Sequence, residues 1–219
     1  MLRLVHGVRH DARRRALVRG AFLLFVLSVG AATAYAQSTD VVRVEEDWEL
    51  ELASPASQKA SPQFETLMSP FGHVVTAYAR VTWNYLELPD FSPGGLQLQA
   101  WNGENVLFEN HLALSPLDAE GETLTWTQVM EAQDGALTFR IANGHSPSQP
   151  SFSSANLVIQ GAAGLANLNG YNTAVSVAKS GVTFGSNRVA GLRIREVRRY
   201  NAEGEVISTD TSSHVVAGE

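Results

Sequence analysis

From Val41 onward, apolar and polar residues alternate with period two. Val42, Val44, Trp48, Leu50 and Leu52 fall on one face of the first run, and Arg43, Glu45, Asp47, Glu49 and Glu51 fall on the other. That is the pattern of a half-buried β-strand. Val75, Ala77, Ala79, Val81, Trp83 and Tyr85 alternate with Thr76, Arg80, Thr82 and Asn84. Leu96, Leu98 and Ala100 alternate with Gln97, Gln99 and Trp101. Similar alternation runs through Leu124, Trp126 and Met130, and through Leu137, Phe139 and Ile141. Further strands are expected at residues 106–110, 156–160, 174–178, 182–186, 190–200 and 205–209. No segment after the first 36 residues shows a helical period with a cap. Residues 53–62 read as a linker and residues 210–219 as a disordered tail.

Turn chemistry separates these runs. Asn102-Gly103 and Asp134-Gly135 each lie between two apolar runs and suit type I′ hairpin turns, where both central residues take positive φ. Asn201-Ala202-Glu203-Gly204 is a longer turn of the same kind. Residues 92–95 and 146–150 are loops that cannot continue a ladder. About a dozen short strands with frequent turns imply an all-β domain over residues 37–209. A two-sheet antiparallel sandwich of jelly-roll type fits that length, with a closed β-barrel as the alternative.

The first 36 residues have the pattern of a secretory signal peptide. Arg13, Arg14, Arg15 and Arg19 form a basic region, residues 21–29 (AFLLFVLSV) an apolar core, and Ala34-Tyr35-Ala36 a small-x-small site. Cleavage is expected after Ala36, placing the mature protein outside the cytoplasm, secreted or periplasmic. The apolar run falls short of the ~20 residues that span a bilayer. Arg14-Arg15-Ala16-Leu17-Val18 resembles a twin-arginine leader, whereas the strong apolar core suits the general secretory route. The whole chain of 219 residues has a formal charge of −6. A leader with six arginines and one aspartate raises that acidity, on removal, to −11. Nucleic acid and anionic membranes are therefore poor partners, since phosphate binding depends on Lys and Arg. The absence of cysteine excludes disulfides, thiolate metal sites and a cysteine nucleophile. No cofactor-binding motif is present.

Glu45, Asp47 and Glu49 share one strand face, about 6.7 Å between successive members. This E-x-D-x-E row resembles the catalytic strand of laminarinase-like retaining glycosidases, whose fold is the concanavalin-A-like jelly roll. The resemblance implies nucleophile and acid/base roles for two glutamates, here Glu45 and Glu49, because hydrolysis with retention needs two carboxylates of unequal pKa. The same row also reads as the charged, solvent-facing side of an edge strand, which discourages edge-to-edge pairing.

Four histidines, His73, His111, His145 and His214, are placed in loops or the tail without metal-ligand spacing. The chain has no G-x-S-x-G motif. The loops 118–122 and 167–172 are oxygen-rich and either could donate ligands to calcium, but neither matches the EF-hand pattern and turn chemistry is the preferred reading. Trp48, Trp83 and Trp126 sit on apolar faces and are expected in the core. Trp101 lies opposite Leu96, Leu98 and Ala100, in a row with Gln97 and Gln99. Amides ending in an aromatic suit a sugar, whose C–H faces stack on the ring while its hydroxyls bond the amides. The alternative is a ring covered by residues 86–95.

The segments VEEDWELEL, SPGGLQLQAWNG and GLANLNGYNTAVSV are similar to segments of a group of uncharacterised exported bacterial β-sandwich proteins. That resemblance implies export and no particular chemistry. The leading expectation is an exported β-sandwich binding module with carbohydrate as ligand, Gln97, Gln99 and Trp101 as contacts, and a polysaccharide or another exported protein as partner. The alternatives are a surface-associated interaction protein without a small ligand, engaging a partner through an exposed sheet edge, and a retaining glycosidase.

Overall fold

The computed structural model describes residues 39–54, 61–84, 95–154 and 156–218. The expected leader, its cleavage site and most of the 53–62 and 86–95 segments lie outside those residues. The strands are β1 (Arg43–Leu52), β2 (Gln63–Met68), β3 (Ala77–Trp83), β4 (Leu96–Asn102), β5 (Asn105–Leu112) and β6 (Thr123–Gln133), followed by β7 (Ala136–His145) and β8 (Leu157–Ala162). A helix α1 (Thr173–Lys179) precedes β9 (Gly181–Phe184), β10 (Val189–Tyr200), β11 (Val206–Asp210) and β12 (His214–Gly218).

These strands form the expected two-sheet antiparallel sandwich. The larger sheet runs β11-β10-β1-β6-β7-β8, with β12 also on β10, and the smaller runs β5-β4-β3-β2-β9. Among the described residues no helix is long and apolar enough to cross a membrane. The core lies between the sheets and is aromatic at its centre. Trp48 and Trp126, cross-strand partners on β1 and β6, stack with centroids 6.1 Å apart. Phe64 of β2 bridges to both Trp83 and Trp126 at 5.9 and 6.0 Å. Phe152, on a 3₁₀ turn at Pro150–Ser154, meets Trp83 edge-on at 4.8 Å. The three tryptophans expected in the core are therefore there. Gly144 lets the Phe152 turn close over β7, since a Cβ at 144 would collide with the Phe152 carbonyl oxygen.

Four local readings change. β1 is a central strand between β10 and β6, so its charged face is not that of an edge strand. Residues 174–178 are helical: the Asn172 side chain accepts from the Ala174 N–H at 2.9 Å, capping the helix, and Thr173 and Ser176 bury one side three residues apart. The alternating Val175 and Val177 mimic a strand period in so short a run. The tail is ordered as β12 on β10 over Gly191 to Ile194, and β2 emerges just beyond the expected linker. Asp134 and Gly135 both have positive φ, as a type I′ turn requires; in the β4–β5 hairpin only Gly103 does, and Asn102 stays in the strand.

Phe152 seals one end of the aromatic core, so Phe152→Ala is expected to cost about 3–5 kcal/mol. Urea denaturation with an unchanged native far-UV spectrum is the measurement; a loss below about 1 kcal/mol would show that the turn does not plug the core.

Candidate functional site

The outer face of the seven-stranded sheet gathers the charges that the sequence alternates along β1. Arg198 of β10 reaches Asp47 at 2.7 Å, Glu45 at 3.1 Å and Glu196 at 2.5 Å. Arg193 bonds Glu51 at 2.6 Å and also Glu49, and Arg195 reaches the other oxygen of Glu49 at 2.7 Å. The Tyr200 hydroxyl donates to Glu45 at 2.7 Å. Glu45, Asp47 and Glu49 are thus one ladder of ion pairs with the RIREVRR strand, and Glu49 is buried rather than solvated.

Two β-bulges flank this face at one level. Pairing between β1 and β10 shifts between Asp47 and Trp48, so Arg195 is extra, and Arg195 and Glu196 both bear on the outer side. Pairing between β6 and β7 shifts between Thr125 and Thr127, where Asn143 has a φ of 54°. Bulges of this kind bend a strand and re-aim its side chains. Between them opens a polar cleft of about 590 Å³ bordered by Asp47, Thr125, Asn143, Arg195, Glu196 and Thr211. On its floor the Thr127 hydroxyl donates to Asp47 at 2.7 Å and accepts from the Asn143 amide at 3.2 Å. The cleft continues past Thr125 toward Glu120 and His145, and past Arg195 and Thr211 toward Glu51 and Ser213.

Gln97, Gln99 and Trp101 stand together on the outer face of the five-stranded sheet, with neighbours that the strand period alone did not supply. Tyr78 lies parallel to Trp101 at 5.9 Å, and the Arg80 guanidinium sits 4.4 Å from the ring centre. Arg80 donates to the Gln99 carbonyl at 2.8 Å, and the Gln99 amide donates to Glu109 at 3.3 Å. The row is brought together, but its ring and its second amide already have partners within the protein.

Sequence reading passed over Glu46, Thr125, Asn143 and Arg195. For the last the available signal was the charge complementarity of EEDWELE and RIREVRR. Glu46 points inward and is fully buried. It accepts hydrogen bonds from Ser176 at 2.5 Å, Tyr171 at 2.7 Å and Trp48 at 3.0 Å. The Arg199 guanidinium lies 5.3 Å from the Tyr171 ring, and His214 of β12 is the other titratable group acting on Glu46. Burial pushes the Glu46 carboxyl up from 4.5 to about 7, although its three donors favour the ionised form. The oxygen-rich loops serve as turns and anchors. Glu122 accepts from Ser148 at 2.6 Å and from Ser146, and Asn169 bonds Asp40 at 2.7 Å. Among the described residues no group of three or more His, Asp or Glu is placed to hold a metal. His111 and His145 lie in strands and His214 in β12, not in loops or a free tail.

No family model matches the chain, and no curated protein matches it. Among solved structures it is similar to scytalido-glutamic peptidase, crystallised with a transition-state analogue inhibitor, at 13% identity and a TM-score of 0.31. The likeness covers 80% of this chain and 83% of that one.

A carboxyl whose pKa is raised on folding stabilises the fold below its unfolded value, and that stability is lost as pH rises through the folded one. Between about pH 4.5 and pH 7 the protein should therefore lose up to about 3 kcal/mol from Glu46 alone. Glu46→Gln keeps a carbonyl acceptor and cannot ionise, so it should remove that slope from a series of chemical denaturations. An unchanged slope in the variant would assign it to other groups.

Proposed function

We propose that the chain is an exported β-sandwich binding module whose ligand is a carbohydrate, held along the polar cleft on the outer face of the seven-stranded sheet. The observation that carries this reading is the pair of bulges turning Arg195, Glu196 and Asn143 toward one cleft beside the hydroxyls of Thr125 and Thr211. A sugar hydroxyl both donates and accepts, and this lining offers both in fixed positions. The ion-pair ladder supports binding in preference to hydrolysis. Glu45 and Glu49 are each engaged by arginines, whereas hydrolysis with retention needs one of the two as a proton donor. The acidic balance of the chain supports an uncharged ligand over a polyanion.

Affinity electrophoresis of the exported protein through gels containing neutral polysaccharides tests the reading. At least one should retard it. Thr125→Val with Asn143→Gly should weaken retention about tenfold or more, the scale of one or two lost hydrogen bonds; glycine is chosen because residue 143 has positive φ. Trp101→Ala should leave retention unchanged. Loss in Trp101→Ala alone would move the ligand to the five-stranded sheet, and no retardation by any polysaccharide would end the carbohydrate reading.

A further inference from the structure

A second cavity lies between the two sheets, where β5 and β8 form their edges. Its volume is about 320 Å³, within the size range of small-molecule sites. Ala77 and Ala100 on one sheet, and Gly161 and Ala162 on the other, leave space that larger side chains would fill. Leu137, Phe139 and Ile159, all buried, form its inner wall. The lining contains no ionisable side chain. Of its polar members Thr76, Asn102 and Gln160 are exposed and so belong to the rim, and Trp101, half-buried, also borders the cavity.

At the mouth, Leu107 and Phe108 are 52% and 46% exposed although both line the cavity. Phe108 closes against β8 at Gly161, where a Cβ would come within 2.6 Å of the ring. Asn110 donates to the Val158 carbonyl at 3.3 Å and holds the same two edges together further along. A further strand therefore has little access between β5 and β8, and the half-exposed Phe108 ring marks the mouth.

We propose that this slot binds a single alkyl chain of an amphiphile with an uncharged head group. Three features select that ligand. The body of the slot is lined by apolar side chains and holds about 320 Å³. The rim is made of neutral hydrogen-bonding groups. The chain as a whole carries a formal charge of −6, which disfavours an anionic head. The slot and the polar cleft lie on different parts of the sandwich, so each reading can fail without the other.

Straight-chain 1-alkanols from hexanol to decanol are the probes, with binding followed by tryptophan fluorescence and by the rise in melting temperature. Affinity should increase roughly fourfold per added methylene, the value expected for burying one CH₂, and level off once the slot is full. Ala100→Leu fills the slot and should abolish binding with the fold intact. Leu107→Asp, at an exposed position, puts a charge at the mouth and should weaken binding at least tenfold even if Ala100→Leu does not fold. Affinity independent of chain length, or unchanged in Leu107→Asp, would overturn the proposal. So would a concentration-dependent dimer in sedimentation that Leu107→Asp dissociates, because the occupant would then be a second copy.

Discussion

The organisation of this sandwich depends on a conflict within β1. The strand sits at the middle of the larger sheet yet carries an ionisable residue at every outward position from Arg43 to Glu51. Carboxylates spaced about 6.7 Å apart along a strand repel one another. A central strand cannot relieve that by leaving them wholly to water, as the burial of Glu49 shows. The relief comes from β10, antiparallel to β1, whose Arg198 and Arg193 lie opposite Glu45 and Glu49 and whose bulge residue Arg195 also reaches Glu49. Two of these guanidiniums are shared between carboxylates, which ties the side chains into a network instead of isolated pairs of little worth. Arg198, five residues beyond Arg193, shares its outward face only because β10 gains an extra residue between them, and that bulge also sets Arg195 and Glu196 beside the polar cleft. Charge compensation and cleft geometry are consequences of the same irregularity.

The inward side of β1 carries a second conflict. Trp48, Leu50 and Leu52 face the core, but so does Glu46. An isolated buried carboxylate would be very costly, and the segment around α1 supplies two of its hydrogen-bond donors. Tyr171 precedes the helix, Ser176 lies within it, and both hydroxyls donate to one oxygen of Glu46. The Trp48 indole supplies the other oxygen from the strand itself. A seven-residue helix is too short to be stable alone. It is fixed by its Asn172 cap and by docking its buried face on this carboxyl.

Much of the sandwich was legible because period two survives wherever a strand has one buried face. β1, β3, β4, β6, β7 and β10 all show it. What escaped had a local or a tertiary cause. In α1 the valines at 175 and 177 imitate alternation, while the burial that defines the helix, Thr173 and Ser176, is polar. β12 is short and follows a polar stretch, so only its pairing with β10 marks it as a strand. The row of Gln97, Gln99 and Trp101 was legible as a face, but its partners come from β3 and β5. The cleft was not legible at all. It depends on two bulges, each one residue out of register, and nothing in a single strand's pattern announces where its neighbour slips.

On the proposed reading, the two outer faces differ in how far their side chains are already satisfied within the protein. On the five-stranded sheet, an outward indole exposes a large apolar surface, and the neighbouring strand covers it. Tyr78 stacks on one part and Arg80 on another, with Arg80 itself held by Gln99 at 2.8 Å and facing Glu65 at 3.7 Å. A sugar placed on that ring would have to displace a cation–π contact and the hydrogen bond behind it, which offsets much of what stacking gains. On the seven-stranded sheet, the bulges turn polar side chains into a space that their own neighbours do not fill. Arg195 keeps 61% of its side chain exposed even while paired with Glu49. A group held in place by one partner and still open on its other side is already oriented for a ligand, so less ordering remains to be done on binding.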